Sequence, residues 1–563
     1  MWLAETLHKY PELAIFLVVG LGYWFGALNI RGIGLGPVTG SLIVGLVVGY
    51  FVDVPIASTA KQILFLLFLF SIGYSVGPRF FAVMKGDGWR WGVLSITMCI
   101  VGLVTATIVA KYLRLDPGFA GGLLSGALTQ SAAMGTASEA IRTLALPTAE
   151  HERLIAHVAV ADALCYVFGT LGVILFCSEI GPRLLGLDVV KEAEAVEKRL
   201  GITRSNAGVV SAWQPFAMRA YCLAEGGRVV GKTVESAEAM FPTARVFIER
   251  IRRGSELIVP MPSTVLKVGD VIVASGRREL LVEALGQAPA DEVDDRELLD
   301  IPVATYEIYV TDKTVIGRTL KEIATSIGEM RGVFLRDIMR GGNSIPIAPG
   351  TTIERGDILG VTGPEPAVLR AKDRLGAIVM PSERTDFVAL CLAIVAGGIL
   401  GLALVVPLGG LRIVIGTSVG TLILGLLVGY AHSIRPTFAR IPDAAIQLMI
   451  SLGLAAFIAM IGLGAGPHFL GALREAGVGL FFGGMVVTIV PLVFGLYFGR
   501  YVLKLNPLLL LGGIAGAQTM TAAMAALQER SRSSVPVLGY SGTVAIGHIL
   551  LTTWGTVIIH LVT

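Results

Sequence analysis

Charge is scarce in this sequence: Asp, Glu, Lys and Arg make up 15% of 563 residues, against roughly 25% in ordinary soluble proteins. With 54% apolar residues and a mean hydropathy of +0.74, that shortage excludes a string of three or four soluble domains. Cysteine is sparse too. Cys99, Cys165, Cys177, Cys222 and Cys391 form no CxxC and no His-linked metal spacing. They exclude a disulfide scaffold and read as small hydrophobes in a reducing compartment. A P-loop, a nucleophile elbow, HExxH and paired catalytic carboxylates are all missing, so no enzyme and no cofactor are expected. A net charge of only +3 gives no reason to expect a nucleic-acid partner. Glu5 precedes the first apolar run and no clear cleavage site follows it, so that run reads as a first membrane helix.

Glycine, by contrast, is plentiful, at 70 residues. Inside a soluble helix each glycine costs ~1 kcal/mol, whereas in a bilayer small residues let helices approach closely. The chain is therefore expected to be a polytopic α-helical membrane protein. Residues 183–384 hold 55 of the 87 charged residues, which divides the chain into a membrane half, a soluble middle and a second membrane half. Apolar segments lie near 10–29, 33–52, 62–82, 90–112, 117–141 and 154–178, and again near 386–407, 411–431, 446–469, 476–502, 507–528 and 535–562. Most are long enough to cross a bilayer, which takes about 20 residues.

The two membrane halves repeat each other. Leu42–Tyr50 and Leu422–Tyr430 share seven of nine residues. Ile72-Gly73 with Gly77-Pro78-Arg79-Phe80 recurs as Ile461-Gly462 with Gly466-Pro467-His468-Phe469. Gly126-Ala127-Leu128-Thr129-Gln130-Ser131-Ala132-Ala133-Met134 recurs as Gly516-Ala517-Gln518-Thr519-Met520-Thr521-Ala522-Ala523-Met524. Such duplication is common in secondary transporters. The fifth segment of each half opens with Asp116-Pro117 or Asn506-Pro507 and is polar and glycine-broken. It fits a re-entrant or unwound segment lining a cavity better than a lipid-facing span. Five crossings plus one broken segment per half make inverted repeats, a plan the Lys/Arg distribution among short loops also favours. Either five or six crossings put the middle region in the cytoplasm.

The middle is duplicated as well. Val230-Gly231-Lys232-Thr233-Val234 recurs as Ile316-Gly317-Arg318-Thr319-Leu320, and Lys267-Val268-Gly269-Asp270-Val271-Ile272 as Glu354-Arg355-Gly356-Asp357-Ile358-Leu359. Strand-like runs at Arg219–Leu223, Arg245–Ile251 and Val271–Ser275 accompany the first copy. Two small α+β units are expected, joined by the acidic linker Asp291–Asp300. The expected domains are thus 1–182 and 385–563 in the membrane, and 207–290 and 300–376 between them. The central units resemble the RCK_C (TrkA_C) subdomain of potassium-uptake regulators, which implies dimerisation and a small regulatory ligand. No GxGxxG follows a strand, so the dinucleotide-binding partner of that fold is absent.

Taken whole, the duplicated half, its polar GAxTx[ST]AAM segment and the two inserted RCK_C units resemble the aspartate:alanine exchanger family. The resemblance implies an inner-membrane, homodimeric secondary carrier in the lipid bilayer. Its substrate would be a small carboxylate: an amino acid such as aspartate or alanine, or a dicarboxylate such as succinate. Many members carry a Thr-Pro-rich polar motif where Ser131-Ala132 and Thr521-Ala522 stand here.

An anionic substrate needs positive potential at mid-bilayer, and broken helices supply it through free N–H groups and dipole ends. Candidate binding residues are therefore Gly126, Thr129, Gln130, Ser131, Gly516, Gln518, Thr519 and Thr521, with the glycines expected to let substrate reach the backbone. Arg79 and its repeat partner His468 are candidate carboxylate-binding cations, or else interfacial residues that snorkel. Asp162, deep in an apolar run, aligns with His548; an acid and a titratable imidazole there suggest a shared cavity, coupling, or a structural pair. Two other classes compete. A cation-coupled dicarboxylate carrier or cation:proton carrier should show a denser set of intramembrane carboxylates. A ligand-gated ion channel should carry a filter such as TVGYG, which is missing.

Overall fold

Helix starts follow the punctuation of the sequence in the computed structural model. The structure describes the chain except residues 1, 31–32, 35, 84–87, 201–216, 228, 241–245, 277–280, 282–289, 327–331, 341–342, 379–384, 409–410 and 436. Two compact units result, one of Met1–Val196 with Pro381–Thr563, the other of Glu197–Met380.

The first half of the membrane unit runs α1 (Trp2–Lys9), α2 (Pro11–Gly26), β1 (Asn29–Ile30), β2 (Ile33–Gly34), α3 (Pro37–Phe51), α4 (Ser58–Val83), α5 (Trp89–Tyr112), α6 (Pro117–Ala127), α7 (Ser131–Thr143), α8 (Thr148–Leu175), α9 (Gly181–Leu184) and α10 (Val189–Leu200). Proline opens α2, α3 and α6, where a missing N–H costs nothing.

The other unit holds two five-stranded antiparallel sheets. The first contains β3 (Ala217–Leu223), β4 (Phe247–Arg253), β5 (Glu256–Ile258), β6 (Val271–Gly276) and β7 (Ala290–Val293), with α11 (Val234–Ala239) and α12 (Arg296–Leu299). The second contains β8 (Val303–Val310), β9 (Phe334–Arg340), β10 (Asn343–Ser344), β11 (Ile358–Pro364) and β12 (Gly376–Ile378), with α13 (Leu320–Ser326) and α14 (Glu365–Leu375). The strand orders, β5-β4-β6-β3-β7 and β10-β9-β11-β8-β12, are the same topology twice.

The recurring sequence marks have structural jobs. Gly231 and Gly317 take positive φ (77° and 84°), and the next-but-one threonine caps a helix. Thr233 accepts from Ser236 N, and Thr319 forms a capping box with Glu322. The Gly-Asp turns place Asp270 and Asp357 for two-toothed ion pairs with Arg253 and Arg340 at 2.8–2.9 Å. Burial works against the charge of Asp270. The Arg253 hydrogen bonds, the Lys267 N–H and the charges of Arg253 and Lys267 outweigh it and hold that carboxyl below its ordinary range. The Asp291–Asp300 stretch is more than a linker: β7 pairs with β3, and Asp295 caps α12. The expected strand start at Arg245 lies outside the described residues.

The second membrane half runs α15 (Phe387–Ala403), β13 (Val405–Leu408), β14 (Leu411–Val414), α16 (Gly416–Ile434), α17 (Asp443–Ala465), α18 (Phe469–Tyr497), α19 (Pro507–Ala517), α20 (Thr521–Ser531) and α21 (Pro536–Val562). Among the described residues, six continuous helical stretches are long and apolar enough to cross a membrane; the longest of them, Asp443–Val502, contains both α17 and α18. Helices α2, α3, α15 and α19 are apolar but shorter. The two segments expected near 386–407 and 411–431 meet instead through the β13–β14 hairpin. Val405, Val406, Ile413 and Val414 favour strand, and Leu-Gly-Gly-Leu supplies the turn signal. A shorter β1–β2 pair holds the same place in the first half.

Glycine contacts fix the helix directions. Gly118, Gly122 and Gly126 form one ridge of α6 against Leu154, Val158 and Asp162, so α6 and α8 run the same way. Gly121 faces Ala137, so α7 folds back on α6 as a hairpin. Along α7, contacts climb from Gln130 at His548 to Thr136 at Thr556, so α7 and α21 run the same way. It follows that the repeat-equivalent helices α8 and α21 point in opposite directions. Helices α5 and α18 are also equivalent, and they too are antiparallel, with Met98 at Gly495 and Val109 at Gly483. An extensive apolar core surrounds the first hairpin, with Leu123, Leu124, Leu128 and Met134 fully buried in the same cluster as the stacked rings of Phe65 and Phe457 (4.3 Å).

Candidate functional site

Each hairpin begins with an Asx cap followed by proline. Asp116 accepts from Phe119 N (2.8 Å), and Asn506 from Leu508 N and Leu509 N (3.1 and 3.2 Å). Each first helix then stops in the same way. Gln130 N donates to Ser125 O, and Met520 N to Ala515 O, both at 2.9 Å. These six-to-one bonds close Schellman turns, which need a left-handed residue and normally use glycine. Here the residues are Thr129 (φ 55°) and Thr519 (φ 54°). A β-branched residue in that region is strained by ~1–3 kcal/mol and persists only where its surroundings hold it.

The surroundings are the opposite hairpin. Thr129 Oγ1 donates to Gln518 O at 2.9 Å, and Thr519 Oγ1 to Gln130 Oε1 at 3.4 Å. The two breaks thus meet within the membrane unit and brace each other. Gln130 Nε2 donates to Thr552 Oγ1 (2.9 Å) and His548 O (3.2 Å), and lies 3.4 Å from His548 Nδ1. Thr488 Oγ1 donates to Ala127 O (2.8 Å), the last carbonyl of α6. Gln518 is buried, and its side-chain Oε1 has no hydrogen-bond partner among the described residues.

Hydroxyls extend the cluster. Ser131 faces Tyr166 of α8, beside Thr39 and Thr170. Thr521 and Tyr540 share a hydrogen bond of 3.0 Å. Arg79 is buried at the end of α4, near enough for its charge to act on both Tyr540 and His548. Thr129, Gln130, Ser131, Gln518, Thr519, Thr521, Arg79 and His548 therefore gather in one region.

Four expected placements differ. His468 is exposed in the turn after α17, where Gly464 meets Lys61 at the start of α4, so it lies at the opposite end of that helix from Arg79, and among the described residues no hydrogen bond joins it to the tips. Asp162 does not pair with His548: it accepts from Ser125 Oγ at 2.5 Å, on the α6 side of the first hairpin. Gly126 and Gly516 do not offer bare backbone to a ligand. A Cβ on Gly126 would collide with the Asp162 backbone, and one on Gly516 with Tyr540 and Thr543. Helix packing uses up their smallness.

Ser125, Tyr166, Tyr540, Thr488 and Thr552 escaped the sequence reading. Their only signal is a polar group in an apolar run, a signal that many structural Ser and Thr residues share. Elsewhere in the unit, Asp116, His157 and Glu475 converge closely enough to hold a metal. Arg153 lies 3.9 Å from Asp116 and 3.3 Å from Glu475, and already compensates both acids.

Residues 14–181 and 389–560 match the family described as a predicted permease membrane region, Asp-Al_Ex. The chain belongs to this family. Residues 218–285 and 305–376 each match the TrkA-C domain. An uncharacterized transporter of Bradyrhizobium diazoefficiens is 50% identical over 92% of this chain and 99% of its own length. Others from Shewanella oneidensis and Bordetella bronchiseptica are each 39% identical, over 100% and 99% of this chain and 100% and 98% of their own lengths. As a permease-family protein related to transporters, the chain is a multi-pass membrane protein with two TrkA-C domains, and no catalytic activity is indicated.

Proposed function

We propose that this permease is a secondary carrier that exchanges or exports a small carboxylate by alternating access between inverted repeats. The observation that carries this reading is the contact of two equivalent broken hairpins, Thr129 Oγ1 to Gln518 O at 2.9 Å. Two helix breaks meeting inside an apolar bundle concentrate backbone dipoles where lipid-facing structure would not tolerate them. Arg79 supplies the full positive charge that a carboxylate needs. The hydroxyls and amides around it fix orientation.

The two tips differ in exposure. Thr129, Gln130 and Ser131 are only 5–6% exposed, while Thr521 and Ala522 are exposed. In inverted repeats such a difference is one end state of a cycle, and exchanging the roles of the two hairpins gives the other. In this reading the TrkA-C domains face the cytoplasm of the inner membrane, take a small regulatory ligand and bias one state, and the chain works as a homodimer. A second reading, coupling to a cation or proton, draws on Asp162, a buried acid beside the first hairpin.

The test is counterflow in liposomes loaded with aspartate, alanine or succinate. Exchange of at least one of these is expected, with Arg79→Gln lowering it about 10–100-fold, as loss of a charged hydrogen bond does. No counterflow with any small acid would remove the carboxylate assignment.

A further inference from the structure

The membrane unit holds a cavity at the other end of α4 from Arg79. It measures about 340 Å³, a size suited to a small molecule. The first turn of α4 and the last turns of α7 line it, with Thr59, Lys61, Gln62, Glu139 and Arg142 among the polar residues. The positive charges of Lys61 and Arg142 act on each other across it. Neither has an ion-pair partner within 4.0 Å among the described residues.

The acid in the lining is already engaged. Glu139 accepts from Thr417 N (2.8 Å), Thr417 Oγ1 (2.6 Å) and Ser418 N (3.2 Å), at the start of α16. The positive end of that helix compensates its charge. Gln62 Nε2 donates to the same Thr417 Oγ1 at 3.1 Å. Glu152 also acts on Lys61, but it is exposed and outside the lining. What remains facing the cavity is two cations. The arginine also recurs: Glu139-Ala140-Ile141-Arg142 ends the first hairpin and Glu529-Arg530-Ser531-Arg532 ends the second.

We propose that this cavity is an anion-binding vestibule, in which Lys61 and Arg142 hold a small carboxylate before or after it visits the hairpin tips. The carboxylate as ligand rests on the carrier reading; the positive cavity does not. Two like charges around a low-dielectric pocket concentrate anions and repel cations.

The experiment places a cysteine at the exposed rim, Thr59→Cys, in the purified full chain. Its reaction with anionic and cationic methanethiosulfonates of similar size is compared after subtracting the native background. The anionic reagent is expected to react about tenfold faster or more. Lys61→Gln with Arg142→Gln should abolish the preference, and succinate, not its uncharged diamide, should slow the labelling. Equal rates, or a preference unchanged in the double variant, would overturn the vestibule. Labelling indifferent to succinate overturns the carboxylate as ligand. Where the double variant fails to fold, about 1 M salt in Thr59→Cys alone must collapse the preference, since screening then acts within ~3 Å; persistence overturns the proposal. Preference and succinate protection without counterflow leave the vestibule standing and remove the carrier reading. Counterflow without preference removes the vestibule alone.

Discussion

The two central units repeat each other almost bond for bond, whereas the two membrane hairpins do not. Both sheets share one strand order, one bulge on the equivalent strand and one Arg–Asp ion pair. Both hairpins share the Asx-Pro start, the Schellman stop and the left-handed threonine. Yet one tip is buried against α21 and the other is exposed at Thr521. A duplicated element whose work is structural settles into one energy minimum twice. Under the alternation proposed above, the two hairpins occupy different environments in each end state.

The sharpest way to break this comparison is accessibility. Thr521→Cys should react with a water-soluble thiol reagent on the order of a hundredfold faster than Ser131→Cys, the ratio set by ~3 kcal/mol for opening a packed segment. Equal rates would make the hairpins as alike as the sheets. The central pair is sharpened by truncation. Arg340 is 6% exposed and Arg253 31%, while their partners Asp357 and Asp270 are both buried, at 0% and 1%. Arg340→Met should therefore cost ~3–5 kcal/mol by stranding a buried carboxylate, read as lost hydrogen-exchange protection in β8–β11 of the full chain. Arg253→Met should cost less in β3–β6, because water reaches the more open place that the Arg253 side chain leaves beside Asp270; the reverse order would show that the exposure of the arginine does not set the cost.

The smallest expected effect lies at the hairpin tips. Thr129→Ala removes a 2.9 Å bond and leaves the Gln518 carbonyl short of a donor, whereas Thr519→Ala removes one of 3.4 Å. A typical hydrogen bond contributes ~1 kcal/mol, so Thr129→Ala should slow counterflow roughly fivefold and Thr519→Ala less. Indifference of transport to both changes together would take the tips out of the transport path.

Much of the fold is legible in the chain because membrane solvation and duplication both leave sequence marks. Apolar length, the Asp116-Pro117 and Asn506-Pro507 starts and the Gly-Asp turns each report a local physical demand. The β13–β14 hairpin was hidden because a β-branched apolar run reads equally as a helix end. The candidate site was legible only as a neighbourhood. Gly126 looked like an opening for ligand, and only its distance to α8 shows that packing consumes it. Asp162 and His548 looked like partners by alignment, but Ser125 and Gln130 reach them first.

By itself, then, the sequence determined the class of protein, the double duplication and the place where each hairpin breaks. Those follow from local forces: hydropathy, caps, turns and the cost of glycine and proline in a helix. Only the tertiary structure decided the directions of the equivalent helices, the partner of each polar group and which tip is exposed. Those depend on contacts between residues hundreds of positions apart, such as Thr129 with Gln518. Repeats that are alike in sequence carry no local mark of the different environments they occupy.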